Sequence, residues 1–173
     1  MLNQDLHSLL KREKNDLICW LVDCLHKRPA SRYSEVNTTA LEMRARELVE
    51  SLVMSTAKMI SSSGDGIPFV VHVERIAEER IAEGFDLDEI QFALSKLEEK
   101  IWQLVTTHRA PEEQVKELSQ ATQIIGSAKD HLARVYLKHG ERAVSTTARL
   151  NNNAEVLARG TVSAPIIDED DPL

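Results

Sequence analysis

The chain reads as an all-α protein: a five- to six-helix bundle, globin-like or related, with a long C-terminal helix and a disordered acidic tail. Two observations carry this. Apolar residues recur at spacings of three and four along most of the length. Gly and Pro together number only eleven among 173 residues and aromatics are 4%, too few turn and strand formers for a sandwich or barrel. One core suits a chain of 19.5 kDa, so residues 1–158 are expected as one helical domain and residues 159–173 as the tail.

The first helix runs from about Asp5 to Lys27, with Leu6, Leu9, Leu10, Leu17, Trp20, Leu21, Cys24 and Leu25 on its apolar side, and ends before Pro29. After the link RPASRYSEVN, Thr38 or Thr39 can cap a second helix to about Ile60, whose inner side is Leu41, Leu48, Leu52 and Met59, widened by Ala45, Val49 and Val53. Ser61 to Gly66 form a loop. Pro68 suits the first turn of a third helix, which reaches Gly84, a left-handed C-terminal cap. Its valines could suggest a strand, but a lone strand in a helical chain has nothing to pair with. Asp86 then caps a fourth helix, with Glu89 completing a capping box. Pro111 opens a fifth, long helix in which Leu118, Ile125 and Leu132 repeat every seven residues. That helix should weaken at Gly140 and at Asn151 to Asn153. Thr161 to Leu173 reads as disordered.

The formal charge is −7, but Asp168, Glu169, Asp170 and Asp171 carry four of those charges at the end of the chain. No basic, aromatic-interleaved face is present, so nucleic acid is not an expected partner. The clusters Lys11, Arg12, Lys14 and Lys27, Arg28, Arg32 read as solvated helix faces. No run of about eighteen apolar residues and no signal-peptide stretch occurs, so membrane insertion is not expected and a cytoplasmic location follows by default. Cys19 and Cys24 point roughly 140° apart on a helix, which disfavours a disulfide and matches no zinc spacing. They read as reduced core cysteines.

Few residues suggest chemistry. A di-metal bundle needs duplicated Glu-x-x-His pairs, and none occurs; Asp23 with His26 and His72 with Glu74 are unduplicated. One axial histidine would suffice for haem, and His72, His131 and His139 lie on or near apolar helices, but three phenylalanines are thin lining. Phosphate-loop, dinucleotide and nucleophile-elbow motifs are absent. Glu74, Glu78, Glu79 and Glu83, with Arg75 and Arg80, fit one solvated face carrying pairs such as Arg75 with Glu79. Neither catalytic residues nor a cofactor are expected.

The run Ile76 to Ile90, followed by Ala93-Leu94 and Ile101-Trp102, resembles the N-terminal sensor domain of RsbT co-antagonist (RsbR/RsbD-type) regulators, with weaker likeness from Leu9 to Val135. Arg80, Gly84, Phe85, Asp86, Leu87 and Glu89 form its signature corner. The resemblance implies a dimer-forming input domain, without enzyme activity, that passes a signal to an output module. Where such proteins continue into an output domain, this chain reads as a polar tail. The resulting expectation is a stand-alone, non-catalytic regulatory or sensor-like domain that acts through protein–protein interaction. It would be a homodimer with an unidentified signalling protein as partner, and Leu118, Ile125 and Leu132 are its expected dimer face. A small apolar ligand between helices is compatible with this. The alternatives are a haem- or metal-binding helical sensor, or a monomeric adaptor recruited through the acidic tail.

Overall fold

The computed structural model describes residues 5–60 and 68–160, with side chains described at 5–57 and 68–147. Within them lie six α-helices and no strand: α1 (Leu6–Arg12), α2 (Lys14–His26), α3 (Thr38–Ile60), α4 (Pro68–Ala82), α5 (Leu87–His108) and α6 (Pro111–Gly160), with a 3₁₀ turn at Arg32–Ser34. The all-α bundle is therefore as expected. Two compact units divide the chain, Met1–Tyr136 and Leu137–Leu173, and the division falls inside α6.

In the first unit α3 packs against α1, α2 and α4, and α5 packs on α1 and α2. The core holds Leu9, Leu10, Leu17, Leu21, Leu41, Leu52, Phe69, Leu94, Leu97, Ile101 and Ile124, all essentially without exposure. Each such side chain contributes roughly 1.5–3 kcal/mol of hydrophobic stabilisation. Leu41, Ala45, Leu48, Val49, Leu52 and Val53 form the inner side of α3 as expected, while Met59 and the 61–66 loop lie outside the described side chains and residues.

The expected first helix is two. It breaks at Glu13, whose N–H bonds the Leu9 carbonyl. In an unbroken helix the apolar stripe through Leu10 and Leu17 would carry Glu13 into the core; at the break its carboxylate meets Arg12 at 2.6 Å. The cap of α3 is Asn37, not Thr38 or Thr39, since its Oδ1 accepts the Ala40 N–H at 2.9 Å. At the start of α4 the Phe69 N–H donates to the buried Ser55 hydroxyl of α3 at 2.7 Å, which satisfies one of the free donors of a helix N-terminus. The valines of α4 are helical, as expected.

Neither Gly140 nor Asn151 to Asn153 interrupts α6. Ser145, Thr146 and Thr147 return their hydroxyls to carbonyls one turn back, at 2.9, 2.9 and 3.0 Å, so these polar side chains are satisfied within the helix. From Leu137 to Thr147 every described residue is exposed.

Candidate functional site

The corner between α4 and α5 is where the signature residues meet. Gly84 has φ +78, the Gly84 N–H bonds the Ile81 carbonyl at 3.0 Å and the Phe85 N–H reaches the Arg80 carbonyl at 2.9 Å. These two bonds are the paired closure of a Schellman cap. That φ favours glycine, and a Cβ would also sit 3.1 Å from Arg32 Nη2, so the Arg32 side chain would have to give by a few tenths of an ångström. Phe85 is buried, tilted against the Tyr33 ring at a centroid distance of 4.8 Å. Leu87 is half-buried and Asp86 exposed.

Glu89 is the pivot. Its Oε2 accepts the Asp86 N–H at 3.0 Å, the reach-back half of the predicted capping box. Its Oε1 accepts the Ser31 hydroxyl at 2.8 Å and the Arg32 N–H at 2.7 Å, which pins the link after α2 to the start of α5. Burial opposes its ionisation, but these donors and the nearby Arg28 charge outweigh burial and hold the carboxyl below its usual value. Arg28 itself is no solvated cation: it bonds the Asp88 carboxylate at 2.6 Å and carbonyl at 3.0 Å and lies 4.6 Å from the centre of the Phe92 ring.

Arg80 also departs from the expected solvated face. Its side chain is only 6% exposed, pairs with Glu83, and lies over the Phe85 ring. Glu83 is shared, because Arg44 Nη2 reaches both of its oxygens at 3.1 and 3.2 Å. From α6 the Tyr136 hydroxyl donates to the Phe85 carbonyl at 2.8 Å. The corner is thus tied to the link, to α3 and to α6. Sequence reasoning missed Ser31, Arg44 and Tyr136, which nothing in local spacing connects to Glu89. Arg75 and Glu79 do pair on the surface as expected, at 2.7 Å.

Next to the corner lies an apolar cavity of about 40 Å³ among α2, α3, α4 and α5, lined by residues that include Leu48, Val73, Leu94, Tyr33, Arg44 and Arg80. Arg44 Nη1 is buried without a hydrogen-bond partner among the described residues. Burial pushes the Tyr33 phenol up to about 12, against the pull of Arg80 and Arg44, so it stays a donor.

The expected dimer face is corrected. Ile125 and Leu132 are fully buried within the chain's own core and Leu118 packs against that core, so the three make up the inner stripe of α6. Cys19, on the side of α2 opposite the Leu17, Leu21 and Leu25 stripe, is exposed, and Cys24, at the edge of that stripe, is half-buried; neither is a core cysteine, and both are free thiols. Among the histidines, His72 is half-buried and held below its usual pKa by burial and then by Arg75. His131 bonds the Ser127 carbonyl at 2.9 Å, and His139 is exposed. Among the described residues no group of three His, Cys, Asp or Glu side chains is placed to hold a metal ion, Asp23 with His26 and His72 with Glu74 included. Nor is any described helix long and apolar enough to cross a membrane.

Comparison with protein-family models, with curated proteins and with solved structures returned no match.

Proposed function

We propose that the chain is a non-catalytic regulatory, sensor-like domain that acts in signal transduction by binding protein, a second copy of itself included, through the outer part of α6. The observation that carries this is the exposed run from Leu137 to Thr147, in which Leu137 is 68% and Val144 71% exposed. Seven residues apart, they share one helix face. A helix containing Gly140 and three consecutive asparagines is marginal in water without a packed face, and association supplies one. The likeness of Ile76 to Ile90 to RsbT co-antagonist sensor domains supports the same reading.

The test is Leu137→Glu with Val144→Glu, followed by sedimentation at micromolar concentration and by cross-linking in cells. Loss of self-association and of cross-linked partners, with the helical circular dichroism of the first unit kept, is expected. A wild-type chain that sediments only as monomer sinks the homodimer, and partner capture indifferent to both substitutions sinks this surface.

A further inference from the structure

We infer that the cavity beside the corner binds a short-chain monocarboxylate of about two to four carbons, its carboxylate held by Arg44 and Tyr33 and its alkyl stem among Leu48, Val73 and Leu94. Three observations point there. The lining is mostly aliphatic, with the polar groups Arg44, Tyr33, Arg80 and Glu47 added. Arg80 is committed to Glu83 and stacked over Phe85, and Glu47 is engaged by Arg75 at 3.6 Å. That leaves Arg44, whose Nη2 serves Glu83 while its Nη1 is buried without a partner among the described residues. A buried guanidinium nitrogen with no acceptor is costly, and a carboxylate supplies the acceptor with a charge-assisted bond. The Tyr33 hydroxyl, protonated at neutral pH, also lines the cavity and is a second donor.

Size sets the rest of the specificity. A cavity of about 40 Å³ admits roughly three water-sized groups. That accommodates the stem of propionate or butyrate and rejects a long acyl chain. The site also touches the network that ends on α6. Glu83 is shared by Arg44 and Arg80, Arg80 lies over Phe85, and the Phe85 carbonyl takes the Tyr136 hydroxyl. An anion drawing on Arg44 therefore acts on the tie between corner and helix. Use of that ligand as a signal rests on the regulatory reading above; binding does not.

The experiment is a methyl-labelled NMR titration of the full chain with acetate, propionate, butyrate and octanoate as sodium salts, at ionic strength fixed with sodium chloride. Saturable shifts centred on Leu48, Val73 and Leu94 are expected, with affinity rising about fourfold per methylene from acetate to butyrate and falling for octanoate. Arg44→Gln should weaken butyrate binding about tenfold or more. Shifts equal with chloride alone, affinity indifferent to chain length, or no saturation in the millimolar range overturn the inference, and the wild-type titration decides even where the variant does not fold. Failure here with α6 association intact leaves the proposed function standing; the reverse outcome leaves the site standing.

Discussion

Two buried glutamates in the first unit solve the same problem differently. Glu89 at the α4–α5 corner is surrounded by small fixed donors: the Ser31 hydroxyl and the N–H groups of Arg32 and Asp86. Glu117 on α6 relies on one guanidinium, with Arg109 Nε at 2.9 Å from each of its oxygens and side-chain exposures of 3% and 6%. Arg109 also donates to the Asp5 carbonyl at 3.0 Å, so this clasp joins the starts of α1 and α6 to the end of α5. The outcomes are opposite. Glu89 is held below the usual carboxyl value despite burial, whereas burial pushes Glu117 up in spite of Arg109. Several preorganised dipoles keep a carboxylate charged at little cost, while a buried ion pair must also desolvate its cation.

The largest expected effect is at the clasp. Arg109→Met leaves an uncompensated charge buried at Glu117 and should cost about 3–5 kcal/mol in urea unfolding, whereas Arg109→Met with Glu117→Leu should recover most of it, because buried pairs nearly break even against apolar substitutes. A double variant no more stable than the single would end the contrast. Next comes Glu89→Ala, which orphans the Ser31 hydroxyl and two N–H groups and should cost about 2–3 kcal/mol by the same measurement. Here removing the Ser31 hydroxyl as well should restore little, since the remaining donors are backbone. A full recovery in that double variant would show the corner to be a simple pair.

The smallest effect is in pH dependence, where the two sites have opposite signs. For Glu89 the folded value lies below the ordinary 4.5, so its contribution is present above that pH and is lost as pH falls through the lowered value. For Glu117 the folded value lies above 4.5, so the folded state takes up the proton first and stability at this site rises as pH falls from the raised value towards 4.5. Urea midpoints across the acid range should therefore flatten below pH 4.5 in Glu89→Gln and above it in Glu117→Gln. Identical profiles in the two variants would remove the distinction.

Much of the scaffold was legible because its rules are local. The Gly84 cap, the Glu89 reach-back and the Pro starts of α4 and α6 each follow from a few adjacent residues. Periodicity also found the inner stripe of α6, but it could not say what covers that stripe. A seven-residue repeat at Leu118, Ile125 and Leu132 suits a second chain and a chain's own core equally well, and Ile125 and Leu132 are buried by the latter. Composition misled at Arg28, in a basic cluster, and at Arg80, among carboxylates: both read as solvated and instead lie over an aromatic ring.

By itself the sequence determined the fold class, most helix boundaries and the corner, since hydrophobic period and capping act over three to seven residues. Tertiary structure alone decided which glutamate keeps its charge, which arginine nitrogen is left without an acceptor, and which face of α6 is spent on the core. Each of these depends on groups dozens of residues apart, such as Ser31 with Glu89 and Phe85 with Tyr136, and burial sets their energies by what surrounds them in space.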